Sequence, residues 1–196
     1  YIERIIYSVI ESTDNMLISF RSGQLDTLEV PPEGFRLLKR EEKRGKFTIY
    51  NGGSDTSTTF ISFNLNKAKN SKGQPFVNPT KSRWFNKKEF RQAVAYAIDR
   101  ETMKTNSFRG LGQLQNSFVY VDSPFFLPPE KGLKVYDYNP DKAKKLLLQA
   151  GFKYNAQNQL VDNDGNIVRF TLLTNSERKV RQDMAAQIMK NLAQIG

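Results

Sequence analysis

Between Asn139 and Gly151 the chain writes both ends of a helix into its own sequence. Asn139 carries a short side chain able to accept from first-turn amides. Pro140 supplies a preset φ where no amide partner is needed, and Gly151 tolerates the left-handed turn that closes a helix. Leu146, Leu147 and Ala150 then form an inner face. The stretch Lys88-Glu89-Phe90-Arg91-Gln92-Ala93-Val94-Ala95-Tyr96-Ala97-Ile98-Asp99-Arg100 reads the same way. Asn86 stands at its cap, with Glu89 three residues later as a variant of the capping box. Phe90, Val94, Ala97 and Ile98 recur at the spacing of one buried face.

The remaining segments read as shorter elements around these two helices. Tyr1 to Ile10 is rich in Ile, Val and Tyr and predicts a strand. Thr13 or Asp14 caps a helix with Met16, Leu17 and Phe20 on one side and Gly23 at its end. Leu25 to Val30 predicts a short strand, and Pro31-Pro32 opens a helix with Phe35 and Leu38 inward. Phe47 to Tyr50 and Thr58 to Leu65 predict two more strands, joined by the polar loop Asn51-Gly52-Gly53-Ser54-Asp55. Residues 66–82 hold Gly, Pro, Asn and Lys without periodicity and predict a surface excursion. Gln159 to Val161 and Val168 to Leu173 flank a hairpin turn. A last helix, capped by Ser176, carries Val180, Met184, Ile188, Leu192 and Ile195. The expected class is mixed α/β (α+β), a mixed sheet with helices packed on it.

Composition removes several chemistries. The 196 residues contain neither Cys nor His. Thiol nucleophiles, disulfides, thiolate zinc sites and imidazole acid–base catalysis are therefore absent from this chain. No apolar run is long enough to cross a membrane, and no export signal precedes the fold, so the chain is expected to be a piece of a longer protein. The net charge of +10 raises a nucleic-acid-associated domain as an alternative. The densest basic cluster, Lys39-Arg40-Glu41-Glu42-Lys43-Arg44-Gly45-Lys46, has acidic residues inside it. Lys67, Lys69, Lys72 and Lys81 lack interleaved aromatics. Both read better as solvated faces.

The candidate motifs have structural readings. Asp162-Asn163-Asp164-Gly165 has alternating carboxylates suited to calcium, but Leu173 stands where a calcium loop needs its last Glu. Asn and Gly also serve a tight turn, which is the expectation. Gly110-Leu111-Gly112 follows a helix rather than a strand and reads as a helix terminus. Asp137 and Asp141 flank a helix start, where carboxylates favour the dipole. Trp84 beside Phe85 reads as an entrance staple onto the core, with ligand stacking as the other reading. No cluster marks an enzyme, and no cofactor is expected.

Four segments together resemble bacterial extracellular solute-binding proteins of family 5, the oligopeptide- and dipeptide-type carriers. They are Ser22-Gly23-Gln24-Leu25-Asp26, Phe63-Asn64-Leu65-Asn66, Phe90 to Arg100, and Asn139-Pro140-Asp141-Lys142-Ala143 through Ala150-Gly151-Phe152. The likeness covers nearly the whole chain. It implies one lobe of a bilobal, periplasmic-binding-protein-like fold over residues 1–196. It also implies a non-catalytic, monomeric carrier that closes on a solute, an oligopeptide first, and delivers it to ABC transporter membrane subunits. Nickel, haem, sugars and opine-like compounds are carried by other members. The implied location is periplasmic or otherwise extracytoplasmic, with or without a lipid anchor. In peptide-binding members the ammonium-pairing Asp is expected beyond residue 196. Within the chain, the resemblance places Glu29, Val30, Thr58, Thr59, Thr174, Asn175 and Ser176 along the cleft. Glu29 could pair with an ammonium group, or simply flank a helix in solvent.

Overall fold

The structure is a computed structural model that describes residues 1–53 and 57–196. Among the described residues seven helices follow in order: α1 (Thr13–Arg21), α2 (Pro32–Gly45), α3 (Pro79–Asn86), α4 (Lys88–Ala97), α5 (Arg100–Ser107), α6 (Pro140–Gln149) and α7 (Lys179–Ala193). A 3-10 turn at Pro129–Lys131 precedes α6, and two short antiparallel strands, β1 (Lys153–Tyr154) and β2 (Leu160–Val161), lie between α6 and α7. An isolated antiparallel bridge from Val161 to Ile167 continues the pairing, so the expected hairpin turn around Asp162 is present.

The core is the contact of α4 with α6. Ala93, Ala97 and Ala143 are fully enclosed, and their small side chains let the two helices approach closely while Phe90, Val94 and Leu147 fill the space around them. The helix start foreseen at Asn139 forms, its side chain accepting from Lys142 N at 2.9 Å, and Gly151 takes φ +88° at the other end. Lys87 donates to the carbonyl of Ala150 at the end of α6 and sits 5.1 Å from the Phe152 ring centre, placing a cation where the α6 dipole is negative. Phe63, Phe85, Phe90, Phe152 and Phe170 form one aromatic cluster, with ring centres 5.2–6.3 Å apart along its contacts.

Several local expectations are corrected. Ser12, not Thr13 or Asp14, caps α1. Asn86 belongs to α3 and bonds back to Ser82 O, leaving Lys87 at the α4 cap without a side-chain capping bond. α3 begins at Pro79, inside the stretch read as an excursion, because Asn78 accepts from Thr80 N and Lys81 N. Ser176 does not cap α7, whose first turn is preceded by Arg178. The helix after Lys87 breaks at Ile98 and Asp99, since the Asp99 carboxylate turns to accept from Thr102 N and starts α5.

The larger correction concerns strands. Tyr1 to Ile10, Leu25 to Val30, Phe47 to Tyr50, Thr58 to Leu65 and Val168 to Leu173 form no ladder among the described residues. A strand closes its backbone hydrogen bonds only against a neighbour, and apart from the single bond from Val168 N to Leu160 O these segments find none there. Ser54 and Asp55 of the polar loop lie outside the described residues. The class with helices over a small sheet stands, but its helices dominate.

Candidate ligand-facing surface

Among the residues expected at the cleft, Thr58 has the most structure around it. Its hydroxyl donates to Gln115 Oε1 at 3.2 Å, joining two segments far apart in sequence. Gln115 is held from behind by Arg100 at the start of α5. That guanidinium donates to Gln115 O, Asn116 Oδ1 and Tyr136 O, each at 2.9 Å. A planar group with five fixed donors suits this role, because it can anchor three acceptors in one geometry. Close by in sequence, Phe60 and Phe118 meet edge to face with ring centres 5.2 Å apart, and both rings are exposed.

The surface around Thr58 thus offers hydroxyls and two exposed aromatic rings, set over the Gln115 amide. Gln115 Nε2 is buried without an acceptor, an arrangement that costs about 1–3 kcal/mol when left unpaired. Such a surface suits non-covalent recognition of amide-like groups. Thr59 is exposed beside it.

The other expected positions stand apart. Glu29 is exposed and Val30 half-buried. Thr174 and Ser176 are exposed, and Asn175 Oδ1 accepts from Arg181 at 3.3 Å, while Ser176 O accepts from Gln182. The 174–176 turn is therefore fastened to the first turns of α7. Among the described residues, no hydrogen bond or ring contact links residues 29–30, 58–59 and 174–176 to one another. Two open hollows among the described residues lie elsewhere. One of about 290 Å³ sits between α5 and α7 beside Met103, Ser107, Asp183 and Lys190. The other, of about 500 Å³, lies on α2 beside Phe35, Arg36, Lys39 and Arg40.

The groups with shifted titration are ties within the fold. The Arg21 guanidinium holds the Glu41 carboxyl below its ordinary range, and the Ile49 amide does the same for Glu42. Burial disfavours ionisation of Asp162, yet donors from Asn166, Trp84 and the Asp164 amide outweigh it and lower the pKa. Burial pushes Tyr154 up. Trp84 is enclosed and its Nε1 donates to Asp162 at 2.9 Å, which makes it a core staple pinning the hairpin. Asp162 also accepts from Asn166 N and Asp164 N, and Arg83 bonds Asp164 at 2.7 Å, so the Asp162–Gly165 segment is a turn. Gly110, at φ +81°, donates to Lys104 O as a helix terminus should.

Sequence reasoning missed Gln115, Phe60 and Phe118. Gln115 and Phe118 lie in an aperiodic stretch between α5 and the 3-10 turn, and no spacing signal ties that stretch to Thr58. The only sequence trace was Arg100, visible as the end of the α4 motif.

Comparison with known proteins gives a consistent result. The model of the bacterial extracellular solute-binding proteins, family 5 Middle, matches residues 1–196. A probable ABC transporter-binding protein of Deinococcus radiodurans is 30% identical over 202 residues, covering all of this chain and 32% of the relative. The oligopeptide-binding protein AppA of Bacillus subtilis is 28% identical over 199 residues, with the same coverage. The structure of AppA in complex with a nonapeptide superposes with a TM-score of 0.65 at 25% identity, over 96% of this chain and 33% of AppA. NikZ of Campylobacter jejuni, in complex with Ni(L-His), gives a TM-score of 0.67 at 21% identity over 95% of this chain and 33% of NikZ, and so shares the fold. The chain spans about a third of the length of the two curated relatives named here.

Proposed function

The chain belongs to the bacterial extracellular solute-binding proteins, family 5, and from that premise we propose that it forms one lobe of a two-lobed carrier. The carrier captures an oligopeptide or a related small solute outside the cytoplasm and delivers it to the membrane subunits of an ABC importer. It works as a monomer, in a periplasm or held by a lipid anchor, and it performs no chemistry on its cargo. The observation that carries this reading is the family match along the whole of residues 1–196. The nucleic-acid alternative has no comparable support.

Capture proceeds by population shift. A solute that contacts both lobes binds the closed arrangement better than the open one and draws the equilibrium toward it. In this lobe Glu29, Val30, Thr58, Thr59, Thr174, Asn175 and Ser176 face the cleft, and Gln115, Phe60 and Phe118 extend the patch around Thr58. Neutral hydroxyl and amide groups favour a peptide, because they address main-chain groups common to every sequence. The aromatic pair supplies apolar area for side chains of differing shape.

The test is native mass spectrometry of the full-length protein, purified from a bacterium without denaturation. A spread of adducts that fragment into short peptides is the expected outcome. A single discrete non-peptide adduct would keep the family and replace the cargo. The 196-residue chain alone should bind peptides more weakly than about 1 μM, because one lobe supplies only part of the enclosing surface. Titration calorimetry with a peptide identified in those adducts checks this, and tighter binding would show that closure contributes little.

A further inference from the structure

We infer that the outer face of α2 is a docking surface for an anionic lipid bilayer. The argument begins with the helix wheel. At 3.6 residues per turn, Gly34, Leu38 and Glu41 share one side of α2. That side packs on α1. A Cβ at Gly34 would stand 2.7 Å from Leu17 Cδ2, Leu38 is fully enclosed, and Glu41 accepts from Arg21 at 2.8 Å. Arg36, Lys39, Arg40 and Lys43 fall on the opposite side, and all four are exposed.

Of the acidic residues that made this segment look balanced in sequence, Glu41 lies on the inner side and Glu42 at the border of the outer face. Glu41 is committed to Arg21 and Arg44, and Glu42 to Lys39 and the Ile49 amide at 2.7 Å. Glu33 has one carboxylate oxygen buried. Lys39 is therefore shared with Glu42. Arg36, Arg40 and Lys43 make no ion pair among the described residues, although Arg40 lies close enough to help hold Glu41 ionised. The fold thus ties Glu41 inward and leaves Arg36, Arg40 and Lys43 as an outward cationic row bordered by the Lys39–Glu42 pair.

That row suits a plane of phosphates. Residues on one side of a straight helix can meet a flat surface together, and guanidinium groups fit phosphate oxygens in a fork. The open hollow of about 500 Å³ beside Phe35, Arg36, Lys39 and Arg40 gives a headgroup room next to an apolar ring. Phe35 is half-buried and is the single ring lining that hollow, whereas single-stranded nucleic acid needs a series of rings for successive bases, which disfavours it. An extracellular carrier also works beside a membrane, and basic residues near anionic lipid add their attractions within a Debye length.

The experiment is co-sedimentation of the full-length protein with vesicles, either of phosphatidylcholine alone or of phosphatidylcholine and phosphatidylglycerol in equal parts. Binding to the anionic vesicles, weakening as salt rises, is expected. The triple variant Arg36→Glu, Arg40→Glu, Lys43→Glu should bind at least about tenfold more weakly, given the usual contribution of each basic residue at such a surface. A control triple, Lys67→Glu, Lys69→Glu, Lys72→Glu, makes the same charge change elsewhere and should bind nearly as the parent does. Equal loss in both triples would reduce the effect to net charge and overturn the assignment to α2. Equal binding to both vesicle types, or none to either, would overturn it too. Circular dichroism and solute adducts by native mass spectrometry monitor folding and capture, so failure here is separable from failure of the carrier reading.

Discussion

The α4–α6 region and the first ten residues are both rich in apolar residues and meet opposite fates. Phe90, Ala93, Ala97 and Leu147 are at most 2% exposed, while Ile6 is 71% and Val9 96% exposed. Hydrophobicity alone therefore does not decide burial here. A helix closes its hydrogen bonds within itself and needs only a neighbour for its apolar stripe, which α4 and α6 give each other. An extended segment needs a partner for its backbone as well, and residues 1–10 and 58–65 have none in a ladder among the described residues. The two regions separate what a chain can settle locally from what it must borrow.

The sharpest way to break this comparison is a pair of truncations. Phe90→Ala should cost about 3–5 kcal/mol, because the ring is enclosed among Phe63, Phe85, Phe152 and Phe170 and a cavity would remain. Ile6→Ala should cost less than about 0.5 kcal/mol, as for other exposed positions. Urea unfolding of the 196-residue chain reads both. A comparable loss at Ile6 would mean that the first segment is packed in solution, and the contrast would collapse.

The same contrast explains what was legible in the sequence. The ends of α6 were readable because Asn139, Pro140 and Gly151 act within a turn of themselves. The break between α4 and α5 was not, because the local Asp99 cap is joined there by a contact from a distant residue. Asp99 N donates to the buried Asn191 Oδ1 at 3.2 Å, a contact from α7 that no local pattern announces. Arg91, Asp99 and Arg100, the charged members of the most recognisable motif, serve the fold. Arg91 bonds Phe85 O at 2.6 Å, Asp99 caps α5, and Arg100 anchors the loop carrying Gln115. That motif identifies an architecture more directly than a ligand. The surface around Thr58 was legible only at Thr58 and Thr59, since its partners come from an aperiodic segment.

Arg100 links the two regimes, since a helix that is locally stable holds a loop that is not. Arg100→Ala should cost about 2–3 kcal/mol, the range for hydrogen bonds to a charged group. It should also raise amide exchange across residues 113–118. Arg100→Lys keeps the charge but loses the fork, so exchange should fall between the two. Hydrogen exchange with mass spectrometry checks this. Unchanged protection of residues 113–118 would show that the loop is ordered without Arg100.

The smallest effect tests the tie between α3 and the hairpin. Trp84→Phe keeps most of the buried ring and removes the donor to Asp162, so it should cost about 1–2 kcal/mol at neutral pH. The cost should depend on pH. The folded-state pKa of Asp162 is depressed, so the stabilisation is full above the unfolded carboxylate pKa, about 4, and is lost as pH falls through the folded value. Trp84→Phe removes one of the donors that depress the pKa, which brings the folded value closer to the unfolded one. The variant should therefore lose less stability than the parent on acidification, and the two unfolding curves should converge below about pH 4. Thermal unfolding from pH 7 down to pH 3 follows the gap. A constant gap would mean that the indole stabilises the hairpin through packing alone, and that the carboxylate draws its ionisation from the Asn166 and Asp164 donors without it.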